Sequence, residues 1–152
     1  MTHADRAGAY RDGGVSTPPR AEEKQGGAPI PQVAKLIWTI GFLLGAVSHA
    51  ADVFTYGWMP YEFMPLGFNL YWTSLLFLDP IAALLIWWRP APALVLGCLI
   101  MASDVLVNAW TAFAAGYTEL LPSLALQCAF AAFVFYLAIR QKRSSQRHSD
   151  NP

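Results

Sequence analysis

The sequence predicts an all-α integral membrane protein: a four-helix bundle with both termini on the cytoplasmic side. Three observations lead there. Only 13% of the 152 residues are charged, about half the share usual in a soluble domain. The shortfall is concentrated in residues 33–139, which are almost continuously apolar, whereas 1–32 and 140–152 are polar. The basic residues also keep to one side of the apolar runs. With 10 Lys+Arg balanced by 10 Asp+Glu and no basic domain, a nucleic-acid partner is excluded. The expected partner is the lipid bilayer.

Residues 1–32 mix Gly, Pro and both charge signs without hydrophobic periodicity, which predicts a disordered tail. The first apolar run starts near Val33, too far from Met1 for a usual signal peptide, so this tail is expected to stay on the mature chain. A membrane-crossing helix needs about 20 apolar residues. Four segments qualify: 33–54, 66–88, 91–115 and 120–139. Gly57-Trp58-Met59-Pro60, Arg89-Pro90-Ala91-Pro92 and Gly116-Tyr117 separate them. The second connection is so short that the spans it joins should be antiparallel neighbours. None of the runs alternates as a barrel strand would, and helices satisfy their own backbone in lipid. Pro80 predicts a kink or a loosened carbonyl in the second span. Pro122 lies in the first turn of the fourth span, where proline is tolerated. Residues 140–152 read as a solvated basic tail, with Arg140, Lys142 and Arg143 placed to touch anionic head groups.

Orientation follows from Lys and Arg. Arg6, Arg11, Arg20, Lys24 and Lys35 precede or open span one, Arg89 lies in the second loop, and Arg140, Lys142, Arg143 and Arg147 follow span four. The first and third loops carry only Glu62 and Glu119. A cytoplasmic location for both termini is the result, with a bacterial cytoplasmic membrane as the expected home. Tyr56, Trp58, Tyr61, Phe68, Tyr71, Trp72 and Tyr117 read as an interfacial belt at one end, and Trp87, Trp88 and Tyr136 at the other.

Ionisable groups within the spans are the candidate chemistry, because each costs about 2.5–3.5 kcal/mol at mid-bilayer. They are His49, Asp52, Asp79 and Asp104, with the amides Asn69, Asn108 and Gln127. At about 1.5 Å per residue, His49, Asp104 and Gln127 reach one level, about 20 Å from the basic ends of their helices. Asp52 and Asn108 share the next turn. His49 and Asp52 are i, i+3; Asp104 and Asn108, like Ser123 and Gln127, are i, i+4; each pair shares a helix face. Three carboxylates face a single imidazole with no Lys or Arg at that depth. Either protons, water or a bound cation must balance them. For the three amides, interhelical hydrogen bonding is a sufficient role. Asp79, just before Pro80, could equally cap backbone freed by the proline.

Other chemistries are poorly supported. One His in an H-x-x-D pattern does not make a metal site, and no metal or cofactor is expected. Met-Pro-Tyr-Glu-Phe-Met-Pro at 59–65 reads as an outer lid. Ser48 and Ser103 lack the setting of a nucleophile. Cys98 and Cys128 form no CxxC, and their depths differ by about 7 Å, so no disulfide is expected. Gly41 and Gly45 form a GxxxG that permits close helix approach, within the bundle or between two copies of the chain. The expected function is proton-linked binding or transport of a small molecule or lipid through His49, Asp52 and Asp104. An intramembrane enzyme acting on a lipid or isoprenoid, and a structural or assembly subunit of a membrane complex, are the alternatives.

Overall fold

A computed structural model describes residues 29–149. Most of the tail expected to be disordered, and residues 150–152, lie outside the described residues. The chain forms α1 (Gln32–Tyr56), α2 (Leu66–Trp88), α3 (Pro90–Phe113) and α4 (Leu121–Ser149), with one 3-10 turn at Thr118–Leu120. No strand occurs among the described residues. All four helices are long and apolar enough to cross a membrane, and they carry many exposed apolar side chains. The architecture is that of a multi-pass membrane bundle.

The helix ends follow local chemistry. Gly57, with φ at 88°, takes the chain out of α1 in a conformation that a side chain would strain. Pro90 opens α3, where its missing N–H costs nothing. α2 runs through Pro80 as a single helix. α4 is the longest at 29 residues, about 43 Å at 1.5 Å per residue. It carries helix beyond residue 139, through the stretch read from sequence as a solvated tail. The reason is compositional: Arg140, Gln141, Lys142 and Arg143 are good helix formers, no Gly or Pro intervenes, and cations near a helix C-terminus oppose its dipole.

α1 packs along α2, α2 along α3, and α3 along α4. α1 and α4 are not packed along their lengths, so the ring of helices has an open seam. The half of the bundle nearest residues 29–32 and 89–90, here the termini end, is filled. Trp38 is fully buried and Phe42, Ala82, Ala83, Ile86, Ala93, Leu94, Val134 and Leu137 pack around it. Gly97 lets α3 approach there, since a Cβ on it would strike the Trp38 ring. The Trp38 indole donates to the Ala82 carbonyl at 2.8 Å, and Trp87 Nε1 donates to Thr39 Oγ1 at 2.9 Å. Lys35 Nζ lies 5.6 Å from the centre of the Trp87 ring, within cation–π reach.

Phe130 of α4 closes the seam over this plug. Its ring lies edge-on to Phe42, with centroids 5.2 Å apart, and it fills the notch above Gly41, where a Cβ would collide with it. Gly45 receives the Asp79 carboxylate in the same way. Both glycines of the GxxxG therefore accommodate side chains of their own chain.

Candidate functional site

Above the plug, toward the loops at 57–65 and 114–117, the bundle encloses a cavity of about 380 Å³. Six of the seven candidate residues line it: His49 and Asp52 from α1, Asp79 from α2, Asp104 and Asn108 from α3, and Gln127 from α4. Helical spacing explains the convergence. His49 and Asp52, and Asp104 and Asn108, stand one turn apart on single faces, as their i, i+3 and i, i+4 spacings require. Ser48 and Ser123 also reach the cavity, whereas Ser103 bonds Tyr71 at 2.8 Å outside its lining.

The polar groups form two clusters on opposite helices. On α3 and α4, the Asn108 amide donates to Asp104 Oδ1 at 2.8 Å and to Gln127 Oε1 at 3.1 Å. Depth estimates pair Gln127 with Asp104, one turn from the partner it takes. On α1, the Tyr61 hydroxyl donates to Asp52 Oδ2 at 2.8 Å and lies 3.0 Å from His49 Nδ1. A phenol has one proton to give. Having given it to Asp52, Tyr61 accepts from His49 Nδ1–H, which leaves Nε2 without a partner in the described chain. The result is a directed relay from imidazole through phenol to carboxylate. Burial raises the Tyr61 hydroxyl well above its ordinary range, and the hydrogen bond and charge of Asp52, then the charge of Asp104, act the same way. Tyr61 thus stays a phenol.

Asp79 stands apart. It is 4% exposed, its Oδ2 sits over Gly45, and it makes no hydrogen bond to any described group. Its carboxyl does not cap the backbone near Pro80, one of the two roles its position allowed.

Asn69, the seventh candidate, does not line the cavity. Its amide donates to the Met59 carbonyl at 3.0 Å, and its Oδ1 accepts the Tyr61 backbone N–H at 3.2 Å. Met59 has φ at 71°, a left-handed conformation rare outside glycine. Asn69 thus pins the strained turn that delivers Tyr61 to the site. Phe63, two residues on, also lines the cavity and packs on Tyr117 and Trp72, with ring centres 5.0 and 6.4 Å away. Tyr61 lies 4.9 Å from Trp72, which is buried rather than interfacial. The 59–65 segment therefore covers the cavity as a lid, and Tyr61, which the sequence places in the interfacial belt, lines the cavity instead. Its place in the Met-Pro repeat was the available signal.

Among the described residues, no Lys or Arg lines the cavity, and no group of three His, Cys, Asp or Glu has the geometry to hold a metal ion. Cys98 and Cys128 are free thiols. Neither a protein-family model, nor a curated protein, nor a solved structure matches the chain, so the cavity and its chemistry are the guide to function.

Proposed function

We propose that the protein binds a small molecule or lipid in the cavity of its bundle and couples that binding to proton movement. The observation that carries this reading is the cavity itself: about 380 Å³, mostly apolar, lined by three carboxylates and one imidazole without a basic counter-charge among the described residues. That size suits a small organic ligand, and a few convergent polar groups in an apolar chamber are the usual form of a binding site. In low dielectric, several uncompensated charges cannot coexist. Any change in ligand charge must be met by protons on His49, Asp52, Asp79 or Asp104.

The basic residues support the orientation that goes with this. Lys35, Arg89, Arg140, Lys142, Arg143 and Arg147 all stand at the termini end, which the positive-inside rule assigns to the cytoplasm. The cavity then belongs to the outer half of a cytoplasmic membrane, sealed from the inside by the Trp38 plug.

The test is retention. Purified protein in lipid nanodiscs, exposed to a membrane extract and washed, should hold a molecule that mass spectrometry detects above empty discs. His49→Ala and Asp104→Asn should lower its recovery about fivefold or more, as expected for losing a contact worth about 1 kcal/mol. Equal recovery from all three proteins would sink the reading. The His49–Tyr61–Asp52 relay favours a second reading, an intramembrane enzyme using His49 as base. A new lipid product formed by the wild type alone would favour that instead.

A further inference from the structure

We infer that the cavity takes an amphipathic organic cation, an amine on an apolar body, which arrives sideways from the membrane through the α1/α4 seam and pairs with Asp79. This inference rests on the ligand-binding reading above and names the class of ligand.

The charge of the lining gives the sign. Asp52, Asp79 and Asp104 are gathered with one imidazole and, among the described residues, no Lys or Arg. Two of the carboxylates already hold donors: Asp52 takes the Tyr61 hydroxyl and Asp104 takes the Asn108 amide. Asp79 has none, although it is 4% exposed and that exposure opens on the cavity. A carboxylate withdrawn from water without a donor is costly. An ammonium group supplies both the charge and the hydrogen bonds. Gly45 gives Asp79 its place: a Cβ there would lie 2.5 Å from Oδ2, so the glycine leaves the carboxylate room against α1.

The walls give the rest of the ligand. Phe42, Trp72 and Phe130 line the same chamber, and aromatic faces attract cations while they bury hydrocarbon. About 380 Å³ far exceeds the roughly 30 Å³ share of one water, so a bare inorganic ion would leave most of it unfilled. A head group bearing phosphate would meet the three carboxylates and be repelled, which restricts the class to net cations.

The seam gives the route. Leu44 of α1 and Leu126 of α4 both line the cavity, yet they are 63% and 71% exposed. They stand where α1 and α4 do not pack. The chamber therefore opens through an apolar slot on the side of the bundle, at the level of lipid chains. The lid of Tyr61 and Phe63 covers the end that faces water.

Three isosteric probes test the class: phenylbutylamine, phenylbutanol and phenylbutyrate. Each is dialysed to equilibrium against the full-length protein in phosphatidylcholine nanodiscs, with empty discs subtracted. The amine should bind saturably, the alcohol about tenfold more weakly, and the acid more weakly still, since one charge pair is worth about a factor of ten. Asp79→Asn should weaken the amine about tenfold and leave the alcohol within about twofold, whereas Asp79→Glu should keep the amine preference. If Asp79→Asn does not fold, the ranking of the three probes on the wild type still decides the class. Alcohol or acid binding as tightly as the amine would overturn the cationic class and leave ligand binding standing. An amine preference undiminished in a folded Asp79→Asn would overturn the assignment of the counter-ion. Saturable binding of none of the three would overturn the inference, and the retention experiment would then decide separately whether the cavity holds any ligand.

Discussion

Tyr61 is the residue on which the α1 side of the cavity depends. Its hydroxyl joins His49 to Asp52, and nothing else in the described chain does so. Tyr61→Phe keeps the ring against Trp72 but leaves Asp52 without its donor, so it should lower stability in detergent by about 1–3 kcal/mol, read as a fall in the melting midpoint. The same hydroxyl makes an alkaline signature. In the unfolded chain it releases its proton near the ordinary 10.0; in the folded chain burial holds the proton above that pH. Above pH 10 the folded state therefore binds more protons than the unfolded one, and stability falls as pH rises. The phenylalanine variant should show a shallower alkaline decline, and identical slopes would mean the hydroxyl is not buried as described. Neighbouring residues show why sequence could not foresee this. Tyr and Trp near a span end satisfy an interfacial role wherever they point, and direction is what separates Tyr61 from exposed Tyr56 and Trp58. Composition at that depth carries no such information.

Among the elements, the lid is the most conditional. It leaves α1 at Gly57, passes a left-handed Met59 and re-joins the bundle at Met64, which is buried. A left-handed non-glycine residue costs about 1–2 kcal/mol, and the two bonds from Asn69 oppose that cost. Asn69→Ala should release the turn: amide exchange across 57–65 should quicken while exchange in the centre of α3 stays slow. Unchanged exchange at 57–65 would show that the aromatic contacts of Phe63 and Tyr61 hold the lid alone. Asn69 was legible as a polar residue facing inward, since it follows the stripe to Asp79, but a stripe gives a face and not a partner. Its partners come from the loop, whose path depends on one unusual φ. The helices themselves were legible because 20-residue apolar runs leave the backbone few alternatives. The far end of α4 was not, because hydropathy falls away at Arg140 while helix propensity continues.

At the scale of the whole molecule, the packing is asymmetric along the bundle axis. The termini end is filled by Trp38, Phe42 and their neighbours, and the loop end holds the cavity. This asymmetry and the distribution of charge give a joint expectation. In a background with Cys98 and Cys128 replaced by Ser, Glu119→Cys should react with an impermeant maleimide on intact cells, and Arg143→Cys should react only after lysis. The reverse pattern would put the cavity in the cytoplasmic half and undo the orientation. Constant helical rise brought His49, Asp104 and Gln127 near one level in the sequence, but Gln127 meets Asn108, one turn from Asp104. Sequence could not indicate the seam, since which two helices stay apart depends on where Phe130 and the Asp79 carboxylate find room, at Gly41 and Gly45.

The slot between Leu44 and Leu126 also changes what concentration means for this protein. A ligand arriving through it is drawn from the bilayer, which acts as a reservoir that accumulates apolar molecules before they meet the site. Each added methylene favours the reservoir by about 0.8 kcal/mol, or roughly fourfold. A homologous series of ligands whose added methylenes stay in the hydrocarbon outside the slot when bound would then gain affinity, measured against ligand in water, with chain length even where the cavity itself gains no contact, and that gain would shrink as lipid is added at fixed total ligand.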